Sequence, residues 1–278
     1  MTSHVASKLA ETKAQGRPAL IGYIPNGFPT KEQGLDAAKA MLDSGVDILE
    51  LGIPYTDPVM DGPTIQRAAE QALAGGTHPS DVFDTIRALK EYRPDVPVLV
   101  MSYFNPVMKY GVDNFAKDLA AAGGAGIITA DLVPDQGPDW IAAADANGLD
   151  KVFLVAPSST PERLQLVAEN SRGFVYAAST MGVTGVRAEV GPQAEALVGR
   201  TRDAMTASEN PGTEFVCVGL GVSTPEQAAE VGRYADGVIV GSAFVKPLLD
   251  ESVPWEERLA RLREVVSGIA AGVGNARG

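Results

Sequence analysis

Residues 47–73 read DILELGIPYTDPVMDGPTIQRAAEQAL, in the order of a strand, a turn-rich loop and a helix. Side chains alternate in direction along a strand, so Ile48, Glu50 and Gly52 share one face while Leu49, Leu51 and Ile53 share the other. If the leucine face packs on helices, Glu50 looks into the middle of a sheet or barrel, where desolvation raises a carboxyl toward the range useful for proton transfer. The alternative for a lone acid in such a strand is a buried Arg partner or a cap on a neighbouring strand. In the loop, Pro54, Asp57, Pro58, Asp61, Gly62 and Pro63 have the composition of turns that project polar groups from a strand's C-terminal end. Taken alone, Asp57 and Asp61 read as turn formers.

Outward from this unit, apolar runs alternate with helical patterns: ALIGYIP (19–25), DILELGIP (47–54), PVLVMSY (97–103), GIITAD (126–131), KVFLVAP (151–157), FVYAAS (174–179), EFVCVGLG (214–221) and DGVIVG (236–241). Their continuous Val, Ile and Leu content suits parallel strands buried on both faces, with the helices as crossovers. Eight such units in 278 residues predict a TIM (β/α)8 barrel whose site gathers at the strand C-terminal ends. A doubly wound open sheet satisfies the same periodicity. Residues 3–15 read as an amphipathic helix carrying Val5, Leu9 and Ala10 on one side. We expect one domain over 1–278, with residues 1–16 closing the barrel bottom, since no linker or low-complexity tract divides the chain.

The formal net charge is −12 with a pI near 4.7, a field that repels nucleic acid and anionic membranes. An anionic substrate must then be held by local backbone donors. Cys217 is the only cysteine, set among apolar residues, which argues against a disulfide framework and for a reduced compartment. The N-terminal stretch lacks the apolar run of a secretory signal, and no segment has the apolar length of a membrane span, so a cytoplasmic location is expected.

The strand ends carry Tyr23, Glu50, Tyr103, Asn105, Asp131, Tyr176 and Ser179, where a barrel mouth needs polar or small groups. After FVYAAS, the segment TMGVTGVRAEVGP is longer than the usual βα connection and reads as a lid. VGLGVSTPEQAAE places Gly219 and Gly221 after a strand, then Ser223 or Thr224 as N-cap and Pro225 in the first helical turn. VIVGSAFVKPLL repeats the scheme with Gly241 and Ser242. Glycines let a backbone approach a ligand closely, and the loops after strands 7 and 8 hold a phosphate in many TIM barrels. Ordinary helix entry accounts for the same glycines.

The negative inventory narrows the chemistry. His4 and His78 do not fall at strand ends, and no His or Cys cluster has metal-ligand spacing. No lysine stands in the C-terminal half of a proposed strand, which disfavours a Schiff-base aldolase. Acid–base work by two carboxyl groups, Glu50 and Asp61, remains.

The stretch ELGIP, two residues, DP, two residues, DGP and a polar-rich helix resembles the signature of the tryptophan synthase alpha chain, and the similarity runs from about residue 19 to residue 250. The resemblance implies cleavage of indole-3-glycerol phosphate to indole and glyceraldehyde 3-phosphate, in L-tryptophan biosynthesis. An indole ring is compatible with two carboxyls and no cofactor: protonation at C3 makes the ring its own electron sink. By matching motifs, Glu50 falls on the family's acid–base glutamate and Asp61 on the aspartate that takes the indole N–H. Tyr176 falls on the tyrosine supporting that glutamate. Gly185, Gly219, Gly221, Gly241 and Ser242 fall on phosphate-binding positions, and Gly182 and Thr184 on the lid. Tyr23, Met101, Ile128, Leu154 and Leu220 would line the indole pocket, with core packing as the alternative for all five.

The resemblance also implies a beta-chain partner in an α2β2 complex, with Asp57 and Pro58 near the interface. Pyridoxal phosphate is expected in that partner and no cofactor in this chain. The sequence departs from the family at Gly27-Phe28-Pro29, at Leu132 to Gln136 and at Thr180, which touches pocket, partner and lid contacts. Two other functions share these residues: a stand-alone lyase releasing free indole, and a catalytically silent barrel that binds a sugar phosphate and regulates a partner.

Overall fold

The structure, a computed structural model, describes residues 3–178, 192–219 and 221–277. Its strands are β1 (Ala19–Pro25), β2 (Ile48–Gly52), β3 (Val98–Ser102), β4 (Gly126–Thr129), β5 (Asp150–Val152), β6 (Leu154–Val155), β7 (Val175–Ala178), β8 (Val216–Gly219) and β9 (Gly237–Val240). All pair in parallel, in the order β5-β4-β3-β2-β1-β9-β8-β7-β6. The two ends of that order, β5 and β6, are separated along the chain by Phe153 alone. A sheet whose edge strands are one residue apart closes on itself, so this is a barrel and the open doubly wound sheet is excluded.

The expected fifth strand, 151–157, is therefore two short pieces. Its first half pairs with β4 and its second half with β7. Phe153, fully buried, joins the cluster that faces the helices.

Helices fill the connections: α1 (His4–Ala14), α2 (Lys31–Asp43), α3 (Pro63–Ala74), α4 (Asp81–Tyr92), α5 (Phe104–Tyr110), α6 (Val112–Ala121), α7 (Pro138–Ala146), α8 (Pro161–Asn170), α9 (Pro192–Ala207), α10 (Pro225–Gly232), α11 (Ser242–Val245) and α12 (Trp255–Gly274). Local chemistry sets their starts. Thr30 accepts from the Gln33 N–H at the head of α2, and Thr224 forms a full capping box with Gln227 before Pro225, satisfying amides that a helix start leaves unpaired.

Strand alternation divides the core in two. Leu49, Leu51 and Ile53 join the layer between barrel and helices, whereas Ile21, Ile48, Leu99, Ile128, Val152, Phe174, Cys217 and Ile239 fill the interior. Val5 and Leu9 of α1 belong to that interior cluster. The Ser3 hydroxyl caps α1 by accepting from Ala6 N–H and donates to Asp150 at 2.7 Å, which fixes the helix against the start of β5.

Strand starts at this end are held by charge. Asp47 pairs with Arg17 at 2.7 Å and accepts the Leu20 N–H; Asp236 pairs with Arg202 at 2.8 Å and accepts the Val216 N–H. Val5 and Leu9 of α1 pack into the interior cluster, and the C-terminal strand ends form the opposite rim.

Candidate active site

The parallel register between β1 and β2 sets Tyr23 beside Glu50, both on interior-facing positions. Glu50 is fully buried, and neither carboxyl oxygen finds a hydrogen-bond partner among the described residues. The buried-Arg reading of this residue thus has no counterpart among the described residues. Burial pushes its carboxyl up from 4.5 to about 8, because a charge stripped of water and of partners is costly. At neutral pH Glu50 keeps its proton.

Asp61 lies in the loop after β2, where burial pushes its carboxyl up to about 6, opposed by a hydrogen bond from the Tyr103 hydroxyl. Both carboxyls are raised, Glu50 further than Asp61, the separation that lets one of two acids hold a proton while the other is ionised. Tyr23 and Tyr176 are held neutral: burial raises both hydroxyls, reinforced by the fields of Glu50 and Asp61.

Glycines make the room for these rings. A Cβ on Gly52 would stand 2.2 Å from the Tyr23 hydroxyl, and one on Gly219 would stand 2.0 Å from that of Tyr176. The Tyr23 ring also lies over Gly241, whose Cβ would meet Cδ1 at 3.1 Å. Tyr23 therefore spans from the acid pair toward the loop after β9, where Gly241 precedes Ser242 at the start of α11. Gly221 adopts φ of +101°, a conformation that favours glycine.

Of the other sequence candidates, Met101, Ile128 and Leu154 belong to or pack on the interior cluster. Asp57 is exposed and Pro58 half-buried at the loop tip. Ser179, Thr180, Gly182, Thr184, Gly185 and Leu220 lie outside the described residues. Among the described residues there is no group of three His, Cys, Asp or Glu side chains placed to hold a metal, and no helix is long and apolar enough to cross a membrane. Sequence reasoning left Gly52 and Tyr55 without a role. The Tyr55 ring stacks on Tyr103 with centroids 5.4 Å apart, and its hydroxyl accepts from Asn105 at 3.0 Å.

The family model described as tryptophan synthase alpha chain matches residues 9–273. The chain belongs to the tryptophan synthase alpha chain family. An alpha chain of Leifsonia xyli subsp. xyli is 54% identical over 258 residues, 93% of this chain and 96% of that one. One of Thermobifida fusca is 53% identical over 266 residues, 96% of each. Among solved structures, Mycobacterium tuberculosis tryptophan synthase matches with a TM-score of 0.87 at 49% identity, covering 98% of this chain and 99% of that chain. The tryptophan synthase subunit alpha of Legionella pneumophila str. Paris also reaches 0.87, at 30% identity, covering 99% of this chain and 100% of that chain. Membership makes this chain a lyase subunit of tryptophan biosynthesis, from a family whose alpha chain does not itself carry pyridoxal phosphate.

Proposed function

We propose that Glu50 and Asp61 carry out the reaction of this family, cleavage of indole-3-glycerol phosphate to indole and glyceraldehyde 3-phosphate. One observation carries the assignment: Glu50 is fully buried in the barrel with neither carboxyl oxygen paired among the described residues, an arrangement that costs stability and suits a proton donor.

Protonated Glu50 delivers its proton to C3 of the indole ring. The ring nitrogen gains positive character as the indolenine forms, and the Asp61 carboxylate accepts its N–H hydrogen bond. Glu50, now a carboxylate of high basicity, takes the proton of the hydroxyl on the carbon attached to C3. The O–H pair becomes the aldehyde C=O, the carbon–carbon bond breaks, and its electrons return to the ring. Glu50 ends protonated, as it began.

Tyr176 limits the space above Gly219 and keeps Glu50 in place. Met101, Ile128, Leu154 and the Tyr23 ring form the apolar walls for the indole, with Leu220. Gly219, Gly221, Gly241 and Ser242, with Gly185, receive the phosphate through backbone N–H groups. Gly182 and Thr184 belong to a lid over the mouth. The chain works as one barrel domain in the cytoplasm. A beta chain with pyridoxal phosphate docks at the side bearing Asp57 and Pro58, in an α2β2 assembly, and consumes the indole.

Indole release from indole-3-glycerol phosphate, with and without a beta chain, tests this for wild type and Glu50→Gln. The proposal expects weak release alone, a large rise with the beta chain, and a loss of roughly 10² to 10⁴ in the variant. Full release without a beta chain would favour the stand-alone lyase. Equal inertness of both proteins with a competent beta chain would favour the silent barrel.

A further inference from the structure

We infer that the Tyr23 hydroxyl is a catalytic hydrogen-bond donor to the substrate: it holds the hydroxyl oxygen on the carbon that is cut from the indole ring, the oxygen that becomes the aldehyde. The inference rests on the reading of Glu50 given above and adds a third group to the acid pair.

Two glycines set the ring. β1 lies between β2 and β9 in the sheet, and Tyr23 leans from the β9 side to the β2 side. A Cβ on Gly241 would stand 3.4 Å from its Cβ and 3.5 Å from its Cγ, whereas a Cβ on Gly52 would stand 2.2 Å from its hydroxyl oxygen. Gly52 follows Glu50 by two residues on β2, so the two share a face about 7 Å apart along the strand. Register pairs Tyr23 with Glu50 itself. The phenol therefore stands over the strand that carries the acid, one step nearer the C-terminal strand ends.

That hydroxyl makes no hydrogen bond among the described residues, although Tyr92, Tyr103 and Tyr110 each bond through theirs. Burial, with Asp61 and Glu50 nearby, holds it protonated well above the usual phenol range, so at neutral pH it is a donor. A donor needs an acceptor. The indole nitrogen keeps its lone pair in the ring and offers only its N–H, which leaves the phosphate and the glycerol hydroxyls. On the reading above the phosphate sits at the loop of Gly241, the end of Tyr23 opposite its hydroxyl. The hydroxyl on the carbon bonded to C3 is the one that Glu50 must reach. As Glu50 takes its proton, negative charge gathers on that oxygen, and a fixed neutral donor stabilises the charge as it develops. No proton leaves Tyr23: the O–H pair becomes the C=O, the carbon–carbon pair returns to the ring, and Glu50 keeps the proton.

The test compares wild type, Tyr23→Phe and Glu50→Gln, each as the full chain with a beta chain. Phenylalanine keeps the ring against Gly241 and removes only the hydroxyl. Two probes are used: indole-3-glycerol phosphate, followed by indole release, and indole-3-propanol phosphate, which carries hydrogens in place of both glycerol hydroxyls, followed by calorimetry. The inference expects Tyr23→Phe to lower kcat/KM for the first by about 10²-fold and to leave Kd for the second unchanged. An unchanged kcat/KM would overturn it. So would a fall matched by an equal loss of affinity for the deoxy probe, which marks Tyr23 as packing alone. Should Glu50→Gln be as active as wild type, the reading of Glu50 fails instead, and the comparison of the two probes still decides for Tyr23.

Discussion

At the residue scale, the site is defined by groups that work against the stability of the fold. Glu50 binds a proton up to about pH 8 when folded but only to about 4.5 when unfolded. Between those values the folded chain holds more protons, so this stabilisation is complete below pH 4.5 and is lost as pH rises to about 8. Glu50→Gln does not titrate. Its stability relative to wild type should therefore grow from pH 4.5 to 8, by at most roughly 5 kcal/mol, and then level off. Urea denaturation of both proteins at pH 5, 6.5 and 8.5 measures this; parallel pH dependences would contradict the burial argument. Gly219 gives a second prediction. A methyl there would overlap the Tyr176 hydroxyl at 2.0 Å, so Gly219→Ala must displace the ring. We expect about 1–3 kcal/mol of lost stability and a fall in kcat of roughly 10²-fold, the scale set by a 1 Å misplacement. Thermal melts and steady-state assays check the two parts.

At the element scale, each strand delivers its interior side chains only if its start is fixed in register. Asp236 does this for β8 and β9: its carboxylate takes the Val216 N–H at 3.0 Å and the Arg202 guanidinium at 2.8 Å, while 4% exposed. Asp236→Ala would orphan a buried amide and leave the cation unpaired. A loss of about 2–4 kcal/mol is expected, read by chemical denaturation, with an unchanged midpoint as the contrary result. Strand identity was legible in the sequence because parallel strands buried on both faces read as unbroken Val, Ile and Leu runs, and Glu50 stood out within one of them. The division at Phe153 was not legible. It arises where the ladder passes from the β4 side to the β7 side of one run, a tertiary stagger that composition does not encode. The Tyr103 contact was hidden for a related reason: the sequence placed a tyrosine at a strand end, but the donor to its hydroxyl oxygen, the Met60 N–H at 2.9 Å, lies in a loop 43 residues earlier.

At the scale of the whole molecule, the barrel separates a sealed end from a working end. Val5 and Leu9 of α1 pack into the interior cluster, and Glu50 stands fully buried beside Tyr23 where β1 and β2 run in register. This arrangement keeps water from Glu50, and that exclusion makes it an acid at neutral pH. The enclosing barrel, more than any single neighbour, sets the proton affinity, since burial is the one cause that raises it. The central claim is therefore best tested by the pH dependence of kcat/KM for indole release from indole-3-glycerol phosphate between pH 6 and 10, in the presence of a beta chain. The account predicts a fall above about pH 8, as Glu50 loses its proton, and no such limb in the residual activity of Glu50→Gln. A rate that stays level to pH 10, or a high-pH limb kept intact in Glu50→Gln, would contradict it.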